Sequence, residues 1–81
     1  MIDYELPMEK KYRIIIEPGE DGWFVVTVPA LPGCITQGKT EHEAEENAKE
    51  AIEAYLESFR KRRKKIPDQQ GVSIREIAVE V

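Results

Sequence analysis

The sequence predicts an α+β domain in which one long helix covers a small antiparallel β-sheet, in the order β-β-β-α-β. Three observations predict it: short β-branched runs separated by Pro/Gly turns, a capping signal followed by a helical apolar stripe, and a partly alternating apolar segment at the end. The chain has 81 residues, which suits one domain and is too short for two. We therefore treat residues 1–81 as a single domain.

The first two strands are predicted from adjacent β-rich runs. Arg13–Glu17 has three isoleucines at its centre, and Trp23–Val28 is apolar at nearly every position. Between them, Pro18–Gly22 contains the Pro and Gly residues that end a strand and turn the chain. This pattern predicts an antiparallel hairpin with one face on the core and the other covered or paired with another subunit.

A third short strand and the start of the helix follow. The two prolines of Pro29–Gly33 cannot donate to a sheet, so pairing resumes only at Cys34–Gln37 and ends at Gly38. Thr40 and Glu43 then have the spacing of a capping box, in which the Thr hydroxyl and the Glu carboxylate satisfy free backbone N–H groups at a helix start. The helix is therefore predicted to begin at Thr40.

The body of the helix is predicted from apolar residues at three- and four-residue spacing. They are Ala44, Ala48, Ala51, Ile52, Tyr55, Leu56 and Phe59. Because the small alanines come first, the N-terminal half of the helix should lie closest to the sheet. Arg60–Lys65 suits the negative end of the helix dipole, Pro67 closes the segment, and Val72–Val81 is predicted to be a last strand.

Composition limits the class of protein. One cysteine, Cys34, and one histidine, His42, leave no disulfide or zinc site to staple the core, and no cofactor is indicated. The lone cysteine favours a reducing, cytoplasmic location, and Asp3, Glu5 and Glu9 stand where a signal peptide would be basic and then apolar. A net charge of −4 disfavours nonspecific attraction to nucleic acid and favours a basic partner.

Several short motifs between Tyr12 and Pro67 resemble, as a set, those of the HicB family, the antitoxin halves of HicA–HicB toxin–antitoxin pairs. The motifs are Ile16-Glu17-Pro18, Asp21-Gly22, Val28-Pro29-Ala30-Leu31-Pro32-Gly33-Cys34, Gln37-Gly38-Lys39-Thr40, Glu43-Ala44, Asn47-Ala48-Lys49-Glu50-Ala51-Ile52, Tyr55-Leu56 and Ile66-Pro67. Each alone is weak, but the chained set is specific and spans about two-thirds of the chain.

The resemblance implies a β-β-β-α-β arrangement like a truncated ribonuclease H fold. It also implies a function, since the family's domain binds a small basic HicA-type toxin that cleaves mRNA and covers the surface that the toxin needs for RNA. Many members carry a second, C-terminal DNA-binding domain of helix-turn-helix or ribbon-helix-helix type. The 81-residue sequence ends before one could begin, so we expect toxin capture rather than autonomous operator binding.

Catalysis is not expected. A two-metal nuclease needs clustered carboxylates, whereas the first strand has Ile14–Ile16 where an inward acid would be required and Glu17 only at its end. A vestigial hydrolase is therefore the least favoured hypothesis. Cys34 and His42 are the only candidate nucleophile pair, and they are interpreted as a small buried residue and an exposed helix residue.

Candidate partner contacts fall in three places. The acidic residues Glu20, Asp21, Glu41, Glu43 and Glu45 could attract a basic toxin, although turn and helix-cap chemistry alone also explains them. Trp23 is either a core anchor, which we favour, or an interface aromatic. The Leu31-Pro32-Gly33 segment is either a rigid connection or a docking loop for a partner.

The basic run is the remaining candidate, for contact with phosphate. It consists of Arg60, Lys61, Arg62, Arg63, Lys64 and Lys65. Part of it compensates the helix dipole, but six consecutive cations also create a local positive field. The alternative function is thus an oligomeric DNA-associated regulator. In either case we expect a homodimer or higher oligomer, because one helix cannot cover all the sheet surface.

Overall fold

The computed structural model describes residues 9–69 and 71–81, and the N-terminal segment with Asp3 and Glu5 lies outside them. The elements are β1 (Ile15–Pro18), a short helical turn (Glu20–Gly22), β2 (Phe24–Thr27), β3 (Ile35–Gly38) and α1 (Glu41–Lys61). This confirms the predicted α+β class, with three strands followed by one long helix.

The strands form one antiparallel sheet in the order β1-β2-β3. Phe24, the first residue of β2, pairs with Pro18 at the end of β1 and with Gly38 at the end of β3. The turn after β1 and the start of the helix therefore lie at the same end of the sheet.

One face of the sheet packs against the helix. Val26, at the centre of β2, is fully buried together with Ala44 and Ala48 of α1, and Ile14 and Ile16 pack against this cluster. The prediction that the small alanines lie closest to the sheet is confirmed. Small side chains let the two backbones approach closely there.

A second buried cluster lies toward the C-terminal half of the helix. It consists of Val28, Leu31 and Cys34, which follow β2 and precede β3. The hydroxyl of Tyr55 donates a hydrogen bond to the carbonyl oxygen of Pro32 at 2.9 Å, which ties this loop to the helix. The interpretation of Cys34 as a small buried residue is confirmed.

No helix of the described residues lies over the opposite face of the sheet. Register places Ile15, Thr27 and Ile35 side by side across the three strands. Ile35 is 62% exposed, while Ile15 and Thr27 are half-buried. The hairpin is thus apolar on both faces, as the sequence indicated, and one of these faces remains open.

The start of the helix follows the predicted capping scheme with one shift. The hydroxyl oxygen of Thr40 accepts a hydrogen bond from the backbone N–H of Glu43 at 3.0 Å. The carboxylate of Glu43 accepts from the N–H of Lys39 rather than from that of Thr40. Both groups still satisfy free backbone donors at the start of the helix.

The predicted last strand, Val72–Val81, is wrong for the single chain. Residues 72–81 form no strand in the described structure, and Ile77 and Val79 are 85% and 76% exposed. A strand exists only when a neighbouring strand supplies hydrogen bonds. The alternating sequence determines which side chains would lie on each face of a strand, but it does not determine whether a neighbouring strand is present to pair with it.

The segment after the helix is tethered to the residues before β1. The hydroxyl of Tyr12 donates to the carbonyl of Pro67, and the N–H of Arg13 donates to Oε1 of Gln69 at 2.7 Å. The guanidinium of Arg13 also donates to the carbonyl of Val72 at 3.3 Å. These bonds fix Val72 beside the beginning of β1.

Gly38 should be intolerant of a side chain. A Cβ atom there would lie 2.4 Å from the backbone nitrogen of Ala44, so the helix would have to move away from β3. We expect Gly38→Ala to lower the free energy of unfolding by about 1–3 kcal/mol, the range for overpacking. Denaturant titration at fixed protein concentration measures this change.

The control is Gln37→Ala, at an exposed neighbouring position. It should lower the free energy of unfolding by less than about 0.5 kcal/mol. Equal effects of the two substitutions would contradict the close approach.

Ionisation of Tyr12 should lower the free energy of unfolding at alkaline pH. Burial, and then the charge of Asp68, raise the pKa of the Tyr12 hydroxyl. A raised folded-state pKa means that the stabilisation is fully present below the unfolded pKa of about 10 and is lost as pH rises through the folded value. Tyr12→Phe should cost about 1 kcal/mol at pH 7 through the lost hydrogen bond.

The measurement is denaturant unfolding of both proteins from pH 7 to 11. The stability difference between wild type and Tyr12→Phe should shrink above about pH 10, because the wild-type phenol then ionises on unfolding. A difference that stays constant over this range would contradict the assigned cause.

Candidate partner-binding surfaces

The predicted acidic residues are brought to one end of the sheet. We define the acidic end as Glu20, Asp21, Glu41, Glu43 and Glu45, all of which are exposed. The first two belong to the turn between β1 and β2, and the others to the first two turns of the helix. They are separated by about twenty positions in sequence, and the pairing of Phe24 with Gly38 brings their segments to the same end.

The turn of the acidic end has a defined backbone shape. Asp21 has φ 62° and Gly22 has φ 78°, both in the left-handed region. Aspartate tolerates this conformation better than most residues, and glycine adopts it freely. The turn therefore has a fixed form from which Glu20 and Asp21 reach solvent.

The carboxylates of the acidic end differ in their availability. Glu43 is engaged in the helix cap through the N–H of Lys39. His42 and Glu46 form an exposed pair at 3.2 Å between Nε2 and Oε2. In the described part of the chain, Glu20, Asp21 and Glu41 form no ion pair, so their charges are free to meet a partner.

Trp23 lies beside the acidic end. It is half-buried and belongs to neither of the two buried clusters of the described residues. The Nζ atom of Lys39 lies 5.6 Å from the centre of its ring, within cation–π range. The side chain is thus at the margin of the core, not inside it. Sequence reasoning missed Lys39, whose position could have been inferred from strand register.

The Leu31–Pro32 segment lies at the other end of the sheet. Leu31 is fully buried, so its side chain is part of the core and holds the loop in place. Pro32 is exposed and is the part of this segment that a partner could reach. The burial of Leu31 supports the interpretation of this segment as a rigid connection between β2 and β3.

The basic run also lies at this other end, since the helix returns across the sheet. We define the basic end as Arg60–Lys65, all of whose residues are exposed. Arg60 pairs with Glu57 at 3.4 Å, and the guanidinium of Arg62 donates to the carbonyl of Ser58 at 3.2 Å. These two cations stabilise the helix end.

The other cations of the basic end are directed to solvent. Lys61, Arg63, Lys64 and Lys65 form no salt bridge or side-chain hydrogen bond within residues 9–69 and 71–81. The chain is therefore electrostatically polar, with uncompensated carboxylates at one end and uncompensated cations at the other.

The described residues do not bring together side chains suited to metal-dependent or thiol catalysis. Within the described ranges, no group of three or more His, Cys, Asp or Glu side chains could hold a metal ion. Burial raises the pKa of the Cys34 thiol, which keeps it protonated and weakly nucleophilic. No helix among the described residues has the length and apolar character required to span a bilayer.

The fold is that of a small α+β domain with oppositely charged ends, and comparison with known proteins gives its family. Residues 12–80 match the family described as the HicB-like antitoxin of bacterial toxin–antitoxin systems. The chain therefore belongs to the HicB-like antitoxin family, which confirms the resemblance drawn from the sequence motifs.

Individual relatives agree with this assignment. A UPF0150 protein of Thermoplasma acidophilum is 63% identical over 57 residues, which cover 70% of this chain and 83% of the relative. A UPF0150 protein of Archaeoglobus fulgidus is 45% identical over 69 residues, covering 85% and 94% of the two chains. Antitoxin HicB 1 of Photorhabdus laumondii is 37% identical over 57 residues, covering 70% of this chain and 37% of that protein.

Proposed function

We propose that this antitoxin binds a small, basic, HicA-type mRNA-cleaving toxin and neutralises it by covering its RNA-binding surface. The acidic end is the observation that carries the proposal. It gathers carboxylates from two separate segments, and at least Glu20, Asp21 and Glu41 have no ion-pair partner within the described residues.

The physical basis is charge complementarity with an aromatic contact beside it. A toxin that binds RNA must present cations to phosphates, and a cluster of carboxylates attracts the same cations and speeds association. Trp23 offers a large half-buried side chain next to this charge, and tryptophan often supplies much of the energy of an interface. Neutralisation of this kind requires no catalytic group, so we propose a non-enzymatic role.

Three further proposals accompany this function. The β-β-β-α order supports a truncated ribonuclease H-like description of the fold. The open sheet face with Ile15 and Ile35 supports self-association into a homodimer or higher oligomer. The single buried cysteine supports a cytoplasmic location.

A second candidate function rests on the basic end. Its four free cations could contact DNA phosphates in an oligomeric regulator or in a complex with the toxin. It ranks below toxin capture because the net charge is −4 and because the described residues include a single long helix, which packs on the sheet. A helix that reads bases must be free to enter the major groove.

The acidic end should be required for toxin binding. The triple substitution Glu20→Gln, Glu41→Gln and Glu45→Gln removes three negative charges from solvent-exposed positions. Against a HicA-type toxin, this variant should raise the dissociation constant about ten-fold or more. The loss of affinity should be larger at low salt, where attraction between charges is screened less. Isothermal titration calorimetry at two salt concentrations, together with an RNA-cleavage assay, measures the effect.

The matched control is Glu50→Gln, Glu53→Gln and Glu76→Gln, which removes the same charge from exposed positions outside the acidic end. It should leave affinity within about three-fold of wild type, because at physiological ionic strength salt largely screens the attraction between exposed charges more than about 8 Å apart. Equal losses for the two variants would refute the acidic end as the contact. Wild-type protein that forms no complex at micromolar concentration would refute toxin binding itself.

The basic end should determine any binding to DNA. Lys61, Arg63, Lys64 and Lys65 are replaced by Gln, while Arg60 and Arg62 are kept for their contacts at the helix end. If the wild type binds DNA, the variant should retain less of an upstream operator fragment. The slope of the logarithm of the binding constant against the logarithm of salt concentration should become shallower by about 0.9 for each phosphate contact removed. Lys10→Gln with Lys11→Gln is the control, and an unchanged salt slope in the fourfold variant would exclude phosphate contact by this run.

A further inference from the structure

Phe59 is a large aromatic side chain that lies outside the core. It belongs to the apolar stripe of the helix, yet it is half-buried and packs against neither of the two buried clusters of the described residues. Its ring instead stacks on that of Tyr55, with the ring centres 5.3 Å apart and the ring planes inclined by 23°. Tyr55 is itself fixed, because it packs against the second cluster and donates to the carbonyl of Pro32. The ring of Phe59 is therefore held in place at the surface.

Arg62 continues this stack toward the end of the helix. Its Cζ atom lies 5.5 Å from the centre of the Phe59 ring. Its Nε–H donates to the carbonyl of Ser58 at 3.2 Å, and Nη2 donates to Oγ of Ser58 at 3.4 Å. These bonds use two of the five N–H donors of a guanidinium, and the residue is exposed. The guanidinium is thus both oriented and accessible. We define the planar stack as Tyr55, Phe59 and Arg62.

The backbone beyond the planar stack forms a fixed turn. The N–H of Arg63 donates to the carbonyl of Arg60 at 3.1 Å, and the N–H of Lys64 donates to the carbonyl of Phe59 at 2.9 Å. Arg63 has φ 57°, a left-handed conformation at which helices usually end with glycine. An arginine there keeps a cation where glycine would be less strained. The cations of the basic end therefore follow the planar stack on a defined backbone.

The charge around the planar stack is positive although the chain as a whole is acidic. Residues 57–68 contain six cations and two carboxylates, Glu57 and Asp68, which gives a local net charge of +4. The acidic end lies at the other end of the helix, about 30 Å away at 1.5 Å per residue. This distance is several times the screening length of about 8 Å at physiological ionic strength. The acidic end therefore scarcely repels an anion bound at the basic end.

We propose that the planar stack and the basic end together bind a single-stranded polynucleotide. An unpaired base stacks on the exposed guanidinium of Arg62, which Phe59 supports from the helix side, and the neighbouring cations contact phosphates. Cations attract the phosphates of any nucleic acid, but the bases of a duplex are already stacked and paired. Only an unpaired base is free to stack on a planar protein side chain.

This inference goes beyond the capture of a toxin and does not depend on it, because the planar stack and the acidic end lie at opposite ends of the helix. It also differs from the binding of an operator. A duplex would be held through phosphates alone, and the four free cations at one helix end can reach few of them. Stacking adds a contact that duplex DNA does not offer.

The first test compares four ligands of the full chain by fluorescence anisotropy at low salt. They are an unstructured RNA of about 12 nucleotides, a DNA strand of the same sequence, an abasic strand of the same length, and the DNA duplex. RNA, DNA or both should bind at least about ten-fold more tightly than the abasic strand and the duplex. The tighter of the two single strands identifies the kind of polynucleotide.

The second test removes the planar group but keeps its charge. Arg62→Lys should weaken binding of the single strand about ten-fold, while binding of the abasic strand and the salt dependence stay unchanged. Arg75→Lys, at an exposed position outside the basic end, is the matched control and should have no effect. Phe59→Leu should weaken binding of the single strand, whereas Phe59→Trp, which keeps a ring beneath Arg62, should not. The far-ultraviolet signal checks that each variant keeps its helix.

The outcomes separate stacking from simple attraction to phosphate. A preference for single strands with bases that Arg62→Lys abolishes supports the proposal. A duplex or an abasic strand bound as tightly as the single strands would overturn it, and so would an equal effect of Arg62→Lys on strands with and without bases. Absence of binding at about 100 μM, the weak limit of nonspecific binding, would overturn it as well. Toxin binding, measured on the same variants, can persist in each of these cases.

Discussion

The close contact between the end of β3 and the first turn of the helix governs the rest of this structure. Gly38 has no side chain, and the space that a Cβ would need is occupied by the backbone of Ala44. The helix can therefore start directly above the sheet, with Thr40 completing its cap. Ala44 and Ala48 then pack against Val26 in one buried cluster. A larger residue at Gly38 or Ala44 would lift the helix and expose this seam.

This contact also sets the distribution of charge. Because the helix starts above the end of β3 and returns over the sheet, its acidic first turns lie near the turn between β1 and β2, and its basic last turn lies near Pro32. Each charge set suits the helix dipole at its own end. The net charge of −4 therefore conceals two ends of opposite sign. A basic protein and a phosphate backbone would be attracted to different ends of the molecule.

The elements that sequence could predict are those set by neighbouring residues. The β-branched runs, the Pro/Gly turns and the Thr40 cap each act within a few positions, and all three strands and the helix formed close to where these signals placed them. Trp23 was harder to place, because its burial depends on whether the helix extends over that part of the sheet. The grouping of Glu20 with Glu41 depends on strand register, which local patterns constrain only weakly.

The C-terminal segment, residues 73–81, marks the limit of such prediction most clearly. Its alternation of Ile77, Val79 and Val81 with charged and small residues is as regular as that of a buried strand, yet no strand forms in the single chain. Local sequence fixes which face of a strand is apolar, but a strand also requires hydrogen-bond partners on another strand. No strand lies beside residues 73–81 in the described part of the chain, so the alternation alone does not make them a strand. For a domain this small, whose core contains few fully buried side chains, association is the most direct way to bury more apolar surface.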